Sequence, residues 1–393
     1  MTDGTVVGLP SHAPDDAVER PRVRPDLLVS AELGRGPHRV HLLRVPGGAT
    51  FEVSPKECFL IRNLDGRRSL AEVGAAYAAR FGRRLGPAQW SQLLWLLRQR
   101  DLLATGDRAG AAVAPRLLLA RLATAFGWAF SLPAGVAVGI GFAALYAVVA
   151  VESPRLWQDA RPVFGDWRWV VGIVAVSYLS AMLHELAHGV AATHFGCSGV
   201  RINVVALSCR VEDYQFLPSR AGRVVIAAVG GVLNSIVTVP FLLVWLFSTP
   251  GSASHRFAAA VVLVGTVQSL VNYVPLAPLD GYKMLSHLLG VVALGPESRR
   301  YLWSRPRQWV SRRGPRYPGR ARLALGLYGT GWHVATAALG VGVAWSGGRL
   351  LEPSLGRAGH AVSAAVVVLT VCLWLAGLPR HRTRTDPSNQ ATR

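Results

Sequence analysis

Six long apolar runs constrain this chain more than anything else in it. They cover roughly residues 126–151, 169–190, 224–247, 257–279, 323–346 and 358–378. The first contains no Asp, Glu, Lys, Arg or His at all. A helix of about 20 residues crosses a hydrocarbon core about 30 Å thick, and each run reaches that length. Lipid offers no partners to backbone N–H and C=O groups, so such runs are expected to be helices. Six of them are hard to house in one soluble core. The expected fold class is therefore an α-helical, multi-pass membrane protein with about six transmembrane helices. Composition agrees: 51% of residues are hydrophobic and 16% charged, against about 25% charged in a soluble domain. This excludes a disordered or collagen-like chain. The four cysteines (Cys58, Cys197, Cys209, Cys372) form no CxxC pair, so neither a disulfide framework nor a cysteine zinc site is expected. Residues 1–25 are Pro-rich, charged and expected to be unstructured, without the apolar centre of a signal peptide.

The net charge is +20, from 42 basic and 22 acidic residues. Its placement gives an orientation. The connection after the fourth run holds Lys283, Arg299, Arg300, Arg305, Arg307, Arg312, Arg313, Arg316, Arg320 and Arg322. A tail at 380–393 carries Arg380, Arg382, Arg384 and Arg393, and the connection at 196–223 adds Arg201, Arg210, Arg220 and Arg223. The alternate connections are poorer in basic residues. The positive-inside rule then puts both termini in the cytoplasm, in a cell membrane. Arginines at helix ends face lipid phosphate, so the bilayer is the expected partner of this charge and nucleic acid is not.

A soluble front end is expected at 26–108, followed by a membrane domain at 116–379. Segments 27–33 and 39–45 read as strands. Ser54-Pro55-Lys56-Glu57 has a serine N-cap, a proline at the first helical position and a glutamate at the third, which is a capping box. Ser69-Leu70-Ala71-Glu72 repeats the signal, and Trp90, Leu93, Leu94 and Leu97 mark a third helix at about 88–99. Strands followed by three short helices predict a small α+β, winged-helix-like cytoplasmic domain. A DNA-reading winged helix and a plain structural cap share this element order.

The second run contains His184-Glu185-Leu186-Ala187-His188, an H-E-x-x-H pattern. Residues four apart on a helix lie about 40° apart around its axis, one turn along it. Both imidazoles can reach one metal ion, and Glu185 is close enough to act as a base. Ionisable groups in a membrane helix are costly, on insertion scales roughly 2.5–3.5 kcal/mol each at mid-span, so three together need a reason. A catalytic zinc needs a third protein ligand. His194 has the spacing of a soluble H-E-x-x-H-x-x-G-x-x-H motif, but Ala191 stands where its glycine belongs. On an unbroken helix His194 would point about 240° away from His188. Asp280 competes with it. It follows Pro275 and Pro278 at the end of the fourth run, and the arginine-based topology puts it in the same leaflet as His184 and His188.

H-E-x-x-H in one membrane helix, with Asn272-Tyr273-Val274-Pro275-Leu276-Ala277-Pro278-Leu279-Asp280-Gly281 in a later one, resembles the site-2 protease family of intramembrane zinc metalloproteases (M50-type). The resemblance covers roughly 169–290. It implies Zn²⁺ held by His184, His188 and Asp280, with Glu185 as catalytic base. Gly230-Gly231-Val232-Leu233-Asn234 is similar to the family's glycine-plus-asparagine segment, which implies substrate binding or oxyanion stabilisation by Asn234; Asn272 is a second candidate. Interhelical hydrogen bonding is the alternative for both. Residues 200–211 alternate as a strand or hairpin, an edge with which an extended substrate could pair. The connections are too short for the PDZ domains of some relatives. The front end resembles the winged-helix peptide-recognition domains of enzymes that mature ribosomally made peptides, in which a leader adds as a strand to a sheet edge.

The expected activity is hydrolysis of a peptide bond in the membrane. The expected substrate is a ribosomally made natural-product precursor peptide that loses its leader; proteases of daptide-type clusters look similar. Two alternatives stand beside it. One is regulated proteolysis of a membrane-anchored transcription regulator. The other is a non-enzymatic export or self-protection protein, which should tolerate loss of Glu185.

Overall fold

The computed structural model describes residues 20–104, 117–311 and 317–377. Most of the expected unstructured N-terminus lies outside the described residues, as do Arg312, Arg313, Arg316 and the basic tail. Residues 22 and 23 depart from that expectation. Arg22 bridges to Asp65 and Val23 to Leu103, which ties the chain start to the helices that follow. Contacts divide the chain into two units, Met1–Glu297 with Pro315–Ala321, and Ser298–Gly314 with Arg322–Arg393.

The first unit opens with four antiparallel strands: β1 (Leu28–Val29), β2 (Leu33–Arg35), β3 (His38–Arg44) and β4 (Thr50–Val53). Leu28 pairs with Arg44 and Val29 with Leu43, whereas Leu33 pairs with Val40 and Arg35 with His38. The register along β3 slips by one residue between β1 and β2, so the expected single strand at 27–33 is two. β4 pairs with residues 41–44 of β3. This strand has only four residues and begins two after Gly48, too little for a periodic signal.

Three helices follow: α1 (Pro55–Asn63), α2 (Leu70–Phe81) and α3 (Pro87–Gln99). Both expected capping boxes are present. Ser54 Oγ accepts from the Glu57 amide while Glu57 accepts from the Ser54 amide, and Ser69 and Glu72 repeat the exchange. Each box satisfies two amides that a helix start leaves unpaired. Leu43, Ile61, Leu64, Val73, Leu97 and Leu102 form the core between sheet and helices.

Beyond α4 (Leu117–Ala125) come α5 (Leu132–Ala160), α6 (Trp167–His194), the hairpin β5 (Val200–Asn203) and β6 (Ser208–Val211), α7 (Arg220–Phe247), α8 (Ala253–Asn272), α9 (Asp280–Leu289) and α10 (Leu294–Ser311). The segments Leu132–Gly165, Trp167–His194, Arg220–Phe247 and Ala253–Asn272 are long and apolar enough to cross a membrane. Their outer faces leave Ile140, Val174, Leu243 and Val267 exposed, a display that water would penalise. The first run begins as a 3₁₀ turn, Gly127–Phe130; α5 starts after it, where Ser131 caps the Ala134 amide. The fourth run ends as a helix at Asn272, because Pro275 and Pro278 lack the amides a helix needs.

The other two runs are helical as well, as α11 (Gly319–Leu355) and α12 (Ala358–Gly377). Among the described residues neither matches the first four. α11 is diluted by glycines, Trp332 and His333, and the apolar stretch of α12 is the shorter Ala358–Thr370. Within this second unit, Arg299 lies over the Trp332 ring at 6.0 Å and His360 beside Trp345 with ring centroids 5.2 Å apart.

Small residues let the long apolar helices of the first unit approach closely. Ala258, Ala259 and Ala260 of α8 are buried against Leu242 and Trp245 of α7 and Leu145, Val149 and Leu156 of α5. Polar groups pair between helices. The Tyr146 hydroxyl lies 2.7 Å from Ser235 Oγ and 2.9 Å from Ser269 Oγ. Asp159 Oδ2 accepts from Trp245 Nε1 at 2.9 Å and from His255 Nε2 at 3.0 Å. Replacing Asp159 with Ala strands two buried N–H donors, which costs about 1–3 kcal/mol. A lower midpoint of thermal unfolding in detergent is expected, and an unchanged midpoint would show that these bonds do not hold α5, α7 and α8 together.

Candidate metal centre

His184 and His188 sit on α6 one turn apart, with ring centroids 4.7 Å apart. Both are buried, at 7% exposure, and so is Asp280, at 6%. His184 Nε2 and His188 Nε2 are 3.1 Å apart, and they lie 3.0 Å and 3.1 Å from Asp280 Oδ2. These three atoms form a nearly equilateral triangle. Tetrahedral ligands at about 2.0 Å from one zinc are about 3.3 Å apart, so a small outward movement of each fits them to such an ion. Among the described residues, His184, His188 and Asp280 are the group able to hold a metal.

The backbone prepares each ligand. A carbonyl can only accept, so His188 Nδ1, 2.6 Å from the Ile226 carbonyl oxygen, carries the proton. In the neutral ring Nε2 then presents a lone pair to the centre. His184 Nδ1 faces the Asn234 side-chain amide at 3.2 Å, and Asn234 also pairs with Ser180 Oγ at 3.0 Å. A half-turn of that amide presents its oxygen to His184 Nδ1–H and its nitrogen to Ser180. Asn234 therefore orients a ligand by the second-shell logic of metal sites.

Asp280 is not the last residue of a membrane helix, as its place after the fourth run led one to expect. It is the first residue of α9, where the helix dipole favours a carboxylate. Gly281 makes this turn possible. A Cβ there would lie 2.3 Å from the Tyr273 carbonyl oxygen and 2.6 Å from that of Val274. Lys283, one turn on, holds Asp280 Oδ1 at 2.8 Å and leaves Oδ2 for the histidines. Burial alone would raise the Asp280 pKa, but the two imidazoles at Oδ2 and the Lys283 ammonium at Oδ1 hold it below the usual carboxylate range.

A cavity of about 270 Å³ opens on the centre, lined among others by Glu185, His188, Cys209, Val211, Tyr214 and Asp280. Glu185 faces it without a hydrogen bond to any described residue. Burial pushes the Cys209 thiol up to about 12, with Glu185 adding to the effect, so the thiol is neutral there. His194 is elsewhere, stacked on Phe130 at 4.7 Å. The Asn272 amide donates to the Gln268 carbonyl within its own helix at 2.9 Å. Neither asparagine lines the cavity.

Sequence reasoning missed Tyr214 and His287, whose Oη and Nε2 lie 2.7 Å apart beside the centre. It also missed how the front end attaches. Arg44 of β3 donates to the Glu212 carbonyl at 2.7 Å and to its carboxylate at 2.6 Å, immediately after β6. The Gly34 amide of β2 donates to Gly290 O at 2.7 Å, and the Val292 amide to Gly34 O at 2.8 Å, immediately after α9.

No protein-family model, curated protein or solved structure matches this chain.

Two outcomes follow from this geometry. A Cβ on Gly230 of α7 would lie 2.5 Å from the Nε2 atoms of both His184 and His188. Gly230→Ala should weaken metal binding at least on the order of tenfold, the effect seen when groups supporting a metal ligand are disturbed. Mass spectrometry of metal in the purified protein would show it, and full retention would mean that α7 does not limit the site. The second outcome concerns pH. Burial, with Arg223 and Lys283 nearby, lowers the His287 pKa from 6.5 to about 4. Between those values the unfolded chain binds a proton that the folded one refuses, so stability falls as pH is lowered through this window. His287→Gln should flatten that part of a melting-temperature profile, and an unchanged slope would exclude His287 as its source.

Proposed function

We propose that this protein is an intramembrane zinc metallopeptidase of site-2 protease type. The observation that carries the reading is the approach of His184, His188 and Asp280 to within 3.1 Å of one another, with Glu185 on the same cavity. Two imidazoles and a carboxylate suit zinc, and they leave a fourth position for water or substrate.

Bound zinc would supply a Lewis acid and make water a nucleophile near neutral pH. Glu185 takes the proton of the attacking water and delivers it to the departing amine nitrogen as the C–N bond breaks. The Ile226 carbonyl keeps His188 in the tautomer this requires, and Asn234, with its amide turned to present oxygen to His184 Nδ1, would do the same for His184. Substrate must be extended to expose its peptide bond. β6 offers an edge for it, since β5 is its partner on one side and β6 supplies Cys209 and Val211 to the cavity wall.

The substrate we favour is a ribosomally made precursor peptide that loses its leader. Two features of the front end support it: β4 is an edge strand with only β3 as described partner, and β2 and β3 are bonded to segments flanking the centre. The arginine distribution supports a reading in which both termini are cytoplasmic and α11 and α12 complete six membrane helices.

Glu185→Gln tests the reading. It should keep the metal content of the wild type and lose peptide cleavage by at least about 10²-fold, the contribution of a positioned acid–base group. The measurement is mass spectrometry of peptides encoded beside the gene, co-expressed with either form. Identical peptide masses in both would end the proteolytic reading.

A further inference from the structure

A hydrolytic centre needs a donor for the carbonyl oxygen that becomes negative as water attacks. Glu185 cannot serve, since as a base it accepts. Asn234 and Asn272 point elsewhere, and the Lys283 ammonium is drawn to Asp280 Oδ1. Tyr214 remains. It follows the hairpin, lines the cavity with Glu185, His188 and Asp280, and carries a hydroxyl with a fixed partner.

That partner is His287, two turns along α9 from Asp280. Its Nε2 lies 2.7 Å from Tyr214 Oη, and the two rings meet edge to face with centroids 4.7 Å apart. We propose that the Tyr214 hydroxyl is a catalytic group of this centre, donating a hydrogen bond to the substrate carbonyl oxygen as charge builds there, and that His287 is the positioning residue that aims it. The proposal rests on the hydrolytic reading above and deepens it. With its proton on Nε2, His287 donates to Oη and leaves the phenolic hydrogen free for the substrate. No proton is transferred in this step; a hydrogen bond shortens and strengthens.

The local electrostatics favour these protonation states. Burial first, then Asp280, raises the Tyr214 pKa above its ordinary value, so the phenol remains a donor. Burial and two nearby cations lower His287 to about 4, so its ring is neutral. The arrangement is also built across the chain. Tyr214 comes from the segment after β6 and His287 from α9, so the donor, the base-bearing helix and the third ligand converge from three elements.

The test uses the full chain loaded with Co²⁺, whose visible spectrum reports the ligands of the metal. The probe is acetohydroxamate, which presents a negatively charged oxygen. Tyr214→Phe should bind Co²⁺ as the wild type does but hold acetohydroxamate about tenfold more weakly, as expected for one lost hydrogen bond to a charged group. On a peptide that the wild type cleaves, kcat should fall about 10²-fold with KM little changed. His287→Ala should reproduce that fall, and His287→Gln, whose amide N–H can still donate to Oη, should recover most of it. Wild-type kcat and acetohydroxamate affinity in Tyr214→Phe would overturn the proposal, as would loss of Co²⁺ in that variant, which would make Tyr214 structural. A wild type that binds no Co²⁺ or cleaves no peptide would instead overturn the hydrolytic reading, and this proposal with it.

Discussion

Everything around the centre follows from one carboxylate oxygen meeting two imidazole nitrogens at 3.0 Å and 3.1 Å in a buried place. An ionised carboxylate loses much of its hydration there and is stable only when paired and hydrogen-bonded. Asp280 uses both oxygens for this: Oδ2 toward the histidines, Oδ1 toward Lys283. The demand propagates outward. α9 must begin at residue 280 so that its N-terminus faces the histidines. The next residue must lack a side chain, because carbonyls of the preceding turn occupy the space where a Cβ would go. α7 must pass close enough to bring Ile226 and Asn234 to the imidazoles, which leaves no room for a methyl at position 230.

How much of this could be read beforehand depends on sequence distance. His184, Glu185 and His188 share one helical turn, so spacing alone gave their geometry. The capping boxes at Ser54 and Ser69 are likewise local, each complete within four residues. Pro275 and Pro278 marked where α8 had to stop. Nothing local marked the restart at Asp280, because a helix that follows a proline turn at once carries no separate apolar period. Tyr214 and His287 are 73 residues apart, and Arg44 and Glu212 are 168 apart. Pairs like these have no signal in a single sequence; only the packing of intervening helices brings them together. Asn234 shows a subtler limit. Its position on α7 was legible, but whether it faced substrate or a ligand depends on the rotation of α7 about its own axis.

The attachment of the front end changes what such a module can do. A domain on a flexible linker raises only the local concentration of what it binds. Here two strands are bonded to the centre's own supports, β2 to the segment after α9 and β3 to the segment after β6. The first leads back to Asp280 and Lys283, the second to the cavity wall at Cys209 and Val211.

The small sheet thus has edges with different employment. The backbone of β2 at Gly34 is taken by residues 290–292, which blunts an edge that would otherwise invite pairing. β4, which pairs with β3 over residues 41–44, has no described partner on its other side. An extended peptide added to β4 would leave the bonds at Gly34 intact, so recognition and support need not compete. β4 is in turn paired with β3, whose last residue, Arg44, holds Glu212. Under the proposed function, a peptide bound there would be positioned relative to the cavity by a short series of main-chain and ionic contacts, and its distance from Asp280 would be set by folded structure and not by the reach of a tether.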